Sequence, residues 1–198
     1  NGMYSDEIEK IIYWLNKAVE FAENDKQKHG LELLIKYYET GDLNIWDEYN
    51  VVWVETKEGD VDYINGFIEV YNDPKGYRGS YESVVQIKDF AMSKKMDAVS
   101  NNAQWFEDNS PILNEHKKEK VVGISYNTVN VAGEAGDASP STPIGINLPN
   151  ANWIRAEHGS KSISLGNILY AYGNAGSSGR LNEFAFSKKE IELEKKYG

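Results

Sequence analysis

The sequence predicts an α+β protein, and three observations predict it. Two segments near the amino end repeat apolar residues at three- and four-residue spacings, as one face of a helix requires. A region beginning near residue 49 concentrates β-branched and aromatic residues between turn-forming clusters, as short strands do. Beyond it the helical spacing returns. The expected order is an N-terminal helical hairpin (1–48), a small antiparallel, barrel-like β portion (49–80 and 121–150), a long helix with its connector (81–120) and C-terminal helices (151–198).

In the first helix Ile8, Ile11, Ile12, Leu15, Ala18, Val19 and Ala22 form one apolar stripe, and Ser5 or Asp6 can cap its start. Asn24-Asp25-Lys26 interrupts the pattern. Leu31, Leu34, Ile35 and Tyr38 restore it until Gly41 supplies a stop. Val51-Val52-Trp53-Val54 reads as a strand, Lys57 to Asp60 as a turn and Val61 to Val70 as a second strand, giving a β-hairpin with Gly59 at its tip. Asp73-Pro74-Lys75-Gly76 suits a tight turn, since proline presets one backbone angle and glycine tolerates positive φ.

From Ser80 to Phe106 the apolar positions Val84, Ile87, Phe90, Ala91, Met96, Val99, Ala103 and Phe106 suggest a long helix. Val121 to Val131 reads as a strand and Gly133 to Pro140 as a flexible loop. A helix over Ser164–Tyr172, a Gly/Ser loop over Gly173–Gly179 and a terminal helix from Lys188 complete the chain.

Composition narrows the function. A chain of 198 residues with 40% hydrophobic and 26% charged residues can bury a real core. A net charge of -10 repels a phosphate backbone, so nucleic acid is not an expected partner. No apolar run reaches the roughly 18 to 20 residues of a membrane span, and no cysteine offers a disulfide or thiolate ligand. These features make a cytoplasmic location the expectation.

A zinc hydrolase needs closely spaced histidines, a third ligand and a glutamate to activate water. The only histidines are His29, His116 and His158, and no two share a helical turn. No metal ligands and no catalytic residues are therefore assigned. The glycines of Gly173 to Arg180 lack the Lys-Ser/Thr of a phosphate loop, and no G-x-S-x-G elbow occurs.

Polar side chains bracketed by strands and turns remain. Glu69 and Tyr71 are two apart, so on a strand they project from one face. A carboxylate there could match a peptide's ammonium, worth roughly 4 kcal/mol at about 4 Å and moderate dielectric before desolvation. Asn147 and Asn150 flank Leu148-Pro149, and their amides could bind a peptide's carbonyl and N–H groups. Residue types alone leave the plainer readings open: a solvated glutamate at a strand end, and a capped turn.

Asn65-Gly66-Phe67-Ile68-Glu69-Val70-Tyr71-Asn72-Asp73-Pro74 and Ile144-Gly145-Ile146-Asn147-Leu148-Pro149-Asn150 resemble peptide-binding segments of the dipeptidyl peptidase III family, zinc exopeptidases that release dipeptides from the amino end of short peptides. Arg78 to Ser83 and Ser164-Leu165-Gly166-Asn167 extend the resemblance, and Ala103 to Phe106 and His158 to Lys161 are similar to its bacterial branch. It covers nearly the whole chain but not the family's His-Glu-x-x-Gly-His helix. The resemblance implies a two-lobed parent enzyme with a zinc cofactor. It also implies that Glu69 holds the substrate's ammonium, Tyr71 bonds near the scissile peptide, and Asn147 and Asn150 fix the first residues. Glu82 matches a further acidic position beside the cleft. Asn72 departs from the arginine often found there.

Three functions are weighed. The first is a fragment of a zinc dipeptidyl peptidase, inactive alone, with short peptides bearing a free amino terminus and the missing zinc-bearing portion as its partners. The second is a metal-free peptide-binding module. The third is a carbohydrate surface built on Trp14, Trp46, Trp53, Trp105 and Trp153, whose apolar contexts read instead as core packing. Self-association through apolar surface is a further expectation.

Overall fold

Three helices open the chain. In the computed structural model, which describes residues 2–67, 75, 79–121, 125–139, 142–174, 185 and 187–197, α1 (Ser5–Val19) and α2 (Asp25–Thr40) form the expected hairpin. Asn24 caps α2 by accepting a hydrogen bond from the Gln27 amide at 2.9 Å. Gly41 ends it at φ 68°, a left-handed conformation that glycine adopts without penalty.

The third helix, α3 (Leu43–Glu55), corrects the strand and Gly59-tipped hairpin. Asp42 accepts from the Asn44 amide at 2.9 Å at its start. Ile45, Tyr49 and Trp53, spaced by four, then bury one face against α2. Packing of that face outweighs the β propensity of Val51–Val54. Gly59, at φ 116°, lies in the connection between α3 and β1, where the Glu23 carboxylate accepts from the Asp60 and Val61 amides.

Five strands follow: β1 (Val61–Phe67), β2 (Tyr81–Lys88), β3 (Ser125–Gly136), β4 (Gly145–Leu148) and β5 (Lys161–Leu165). Their order in the sheet is β1-β2-β3-β5-β4. The β3–β5 pair is parallel and the others antiparallel, so the sheet is mixed where an antiparallel one was expected. The long helix from Ser80 is likewise corrected. Val84 and Gln86 are buried while Val85 and Ile87 are exposed, the two-residue alternation of a half-buried strand. Helix begins only at α4 (Phe90–Asn101), capped by Asp89, and continues as α5 (Ala103–Asp108).

Gly133 to Gly136 belong to β3 and not to the expected loop, so β3 outlasts the predicted strand. The register shift at Val85/Gln86 leaves Ala132 bulged between Val131 and Gly133. β5 interrupts the C-terminal region expected to be helical, and α7 (Gly166–Asn174) starts only after it. The short α6 (Asn152–Glu157) leads into β5, and α8 (Lys188–Tyr197) starts where expected. Most of the Gly/Ser loop lies outside the described residues.

One face of the sheet meets α2 and α3. Cross-strand neighbours Ile64 and Val84 join Leu34, Val54 and Ile154 in the main core, while Val129, Ile163 and Leu165 form a smaller one. Side-chain bonds fasten α4 and α7 to β3. Ser93 Oγ donates to the Thr128 carbonyl at 2.9 Å, and Asn167 pairs with both backbone groups of Val131 at 3.0 and 3.1 Å. The sheet curls until Lys161 of β5 reaches Asp62 of β1, two strands that are not ladder neighbours. Among the described residues, no helix is long and apolar enough to cross a membrane.

Candidate functional site

Where the Phe67 end of β1 meets the end of β4, α3 lies across the sheet and leaves a cleft. It is lined by Trp46, Tyr49, Asn50 and Trp53 of α3, Ile64 to Phe67 of β1, Glu82 of β2, and Leu148 and Pro149. Gly66 brings the helix close. A Cβ there would come 2.7 Å from Cη2 of Trp46, so the indole lies on the strand backbone. Trp46 is held in turn by ring contacts with Tyr37 at 4.9 Å and Tyr49 at 5.2 Å.

Glu82 is the cross-strand partner of Gly66, so it projects on the same face, beneath the aromatic rings. It is the one charged side chain among the described residues lining this cleft. A carboxylate among aromatic faces suits a cation, through charge and through the negative face of the rings. Asn65 is held at the cleft's edge: Tyr38 donates to its Oδ1 at 2.6 Å, and its Nδ2 donates to the Tyr81 hydroxyl at 2.9 Å.

The predicted residues fall in different places. Glu69 and Tyr71 lie outside the described residues, in the segment that follows Phe67. Glu82 lines the cleft. Asn147 is exposed and lines a separate depression with Tyr126, Ser162 and Ser164, beside α4 and α5, although Leu148 and Pro149 next to it face the Glu82 cleft. Asn150 is exposed just beyond Pro149. Among the described residues, β4 is the last strand of the sheet and pairs only with β5.

Sequence reasoning missed the part played by α3. The signal was present in the spacing of Ile45, Tyr49 and Trp53 after an Asp42 cap. It also missed the node beneath the cleft. Trp53 Nε1 donates to Asp62 Oδ1 at 3.1 Å and to the Tyr63 carbonyl at 2.9 Å. Lys161 Nζ donates to Asp62 Oδ2 at 2.7 Å and sits 4.2 Å from the Trp53 ring. Burial lowers the Lys161 pKa, and the Asp62 charge opposes that shift.

Two of the described histidines have other neighbours. His158 is engaged by Glu55 at 2.9 Å, His116 lies beside Glu115 at 3.7 Å, and among the described residues no group of three potential ligands converges. Of the tryptophans, Trp53 is buried and Trp46 partly so. Trp14, Trp105 and Trp153 are exposed, which corrects the expectation of core packing for those three.

The fold and its cleft define the class, an α+β polypeptide built like part of a peptidase. Solved structures share the architecture: dipeptidyl peptidase III from Caldithrix abyssi, with TM-score 0.78 and 25% identity, aligns over 96% of this chain and 36% of its own. The enzyme from Corallococcus sp. strain EGB gives TM-score 0.78 over 96% of this chain and 35% of its own, at 24% identity, a likeness of fold. The chain belongs to Peptidase family M49, whose family model matches residues 1–196. Dipeptidyl peptidase 3 of Homo sapiens is 31% identical over 168 residues, and that of Nematostella vectensis 30% identical over 171. The match covers 85% and 86% of this chain but only 22% and 23% of those proteins, so the chain spans under a quarter of their length.

Proposed function

We propose that this chain is the peptide-holding portion of a zinc-dependent dipeptidyl peptidase, inactive alone, with the metal ligands on polypeptide outside it. The observation that carries this reading is the placement of β4. Among the described residues it is a strand with one unpaired edge, and it leads to Leu148 and Pro149 at the cleft where Glu82 is the charged group. An extended peptide can add to such an edge through its own backbone groups. Its terminal ammonium alone would then reach into the cleft, about 40 Å³ in volume, where a carboxylate and aromatic faces suit that group. Glu69 and Tyr71, on the segment after Phe67, would complete the acidic end, and Asn147 and Asn150 would bond the first peptide units. The family match and the dipeptidyl peptidases among the relatives support the substrate class.

The reading is tested by NMR titration of the chain with tetra-alanine and with its N-acetylated form. The free peptide should shift the amides of Gly145 to Leu148, and acetylation should weaken binding at least about tenfold by removing the charge. Equal binding of both peptides, or no shifts along β4, would refute it. A dipeptidyl arylamide should not be cleaved by the chain alone, with or without added zinc.

A further inference from the structure

Gln86 is fully buried, and among the described residues neither its amide nitrogen nor its amide oxygen has a hydrogen-bond partner. A buried amide left unpaired bears its whole desolvation cost, and folded proteins pair nearly all such atoms. Its surroundings are polar. The β1–β2 register sets Gln86 opposite Asp62. The β3–β5 register sets Ser125 opposite Lys161, and the Ser125 hydroxyl is also buried, with no hydrogen-bond partner among the described residues. One end of the curled sheet therefore carries a polar layer where its other end carries Ile64 and Val84.

Lys161 needs more than this layer gives it directly. An ammonium has three donors. One meets Asp62 and the ring of Trp53 lies beside the nitrogen, but among the described residues no second oxygen accepts from it. Gln86, Asp62, Asn127 and Lys161 all line one small cavity of about 30 Å³. A water molecule needs roughly 10 to 15 Å³ in that measure and two to four polar partners. The space is far too small for a phosphate or a peptide.

We infer that this cavity is a built hydration site, holding one or two ordered water molecules that bind the Gln86 amide and bridge it to the Lys161 ammonium. The water supplies the acceptor that the ammonium lacks and the partners that the amide lacks. It thereby keeps a charge tolerable inside the sheet, against the burial that lowers the lysine's proton affinity. Nothing in this inference depends on peptide binding.

A crystal structure of the full 198-residue chain should show a water oxygen within hydrogen-bond distance of the Gln86 amide, and a dry cavity there would overturn the inference. Gln86→Met gives an independent reading, because it removes the amide at nearly constant volume. If water satisfies Gln86, the variant strands Lys161 and melts lower, by about 2 to 4 °C for each kcal/mol lost in a domain of this size. If the amide is unsatisfied, removing it relieves a penalty, and an equal or higher melting temperature would count against the site.

Discussion

Lys161 and Asp62 stand 99 residues apart in sequence yet meet at 2.7 Å, joining β5 to β1 across the open side of the sheet. The partners are unequally placed: the lysine side chain is 3% exposed and the aspartate 32%. Removing the carboxylate strands a buried ammonium, whereas removing the ammonium leaves a carboxylate that still touches solvent and the Trp53 N–H. Asp62→Asn should therefore destabilise by about 3 to 5 kcal/mol, and Lys161→Met by distinctly less. Urea denaturation of the two variants decides this, and equal losses would refute the asymmetry.

Stability should fall as pH rises past 10. Burial, the largest cause in each case, raises the phenol pKa of Tyr38, Tyr49 and Tyr63 above the ordinary 10.0. Above that value the unfolded chain has released these protons while the folded chain retains them, so folding loses ground with each increment of pH. Lys161 acts in the opposite sense. Its pKa is lowered from 10.5, so just below that value the unfolded state holds the extra proton and stability rises with pH. Three tyrosines outweigh one lysine. Tyr38→Phe should reduce the decline of the urea midpoint between about pH 9 and 11 by roughly a third or more, since Lys161 already offsets part of it, and an unchanged decline would exclude Tyr38 from it.

Two glycines should be intolerant for different reasons. Gly66→Ala drives a methyl group against the Trp46 ring, and such overpacking costs about 1 to 3 kcal/mol. Gly136 combines φ 68° with the close approach of the Tyr81 carbonyl, which a Cβ would overlap. Gly136→Ala should be worse than Gly66→Ala, because a backbone oxygen cannot move aside as a ring edge can. Thermal melts of both variants test the ranking.

In a longer family M49 enzyme carrying this segment, Glu69→Ala should weaken productive peptide binding by about 2 to 5 kcal/mol, the cost of leaving an ammonium without its partner. Glu82→Gln should raise KM for substrates with a free amino end. Unchanged kinetics in both would remove the acidic end of the proposed site.

The helices at the amino end were legible because both signals agreed there: the stripe from Ile8 to Ala22 and the stops at Asn24 and Gly41 say the same thing. Val51–Val54 misled because β-branched residues favour strands locally, while the decisive contact, with α2, is distant in sequence. Tyr81–Lys88 misled because Val84 and Ile87, three apart, also fit a helix; only the buried Val84 and Gln86 reveal the shorter period. The family segments pointed to Glu82, which lines the cleft, and to Asn147 and Asn150, of which Asn147 lines a separate depression. They gave no hint that Trp46 covers Gly66, or that Asp62 and Lys161 meet. Such contacts depend on the curl of the whole sheet, which local pattern does not encode.

β4 is only four residues long, and Pro149 follows it with no N–H to offer. At about 3.3 Å per residue this edge is a ruler of roughly 13 Å. Once a guest chain has aligned with it, further length finds no more rungs, so affinity for oligopeptides should level off after the first few residues.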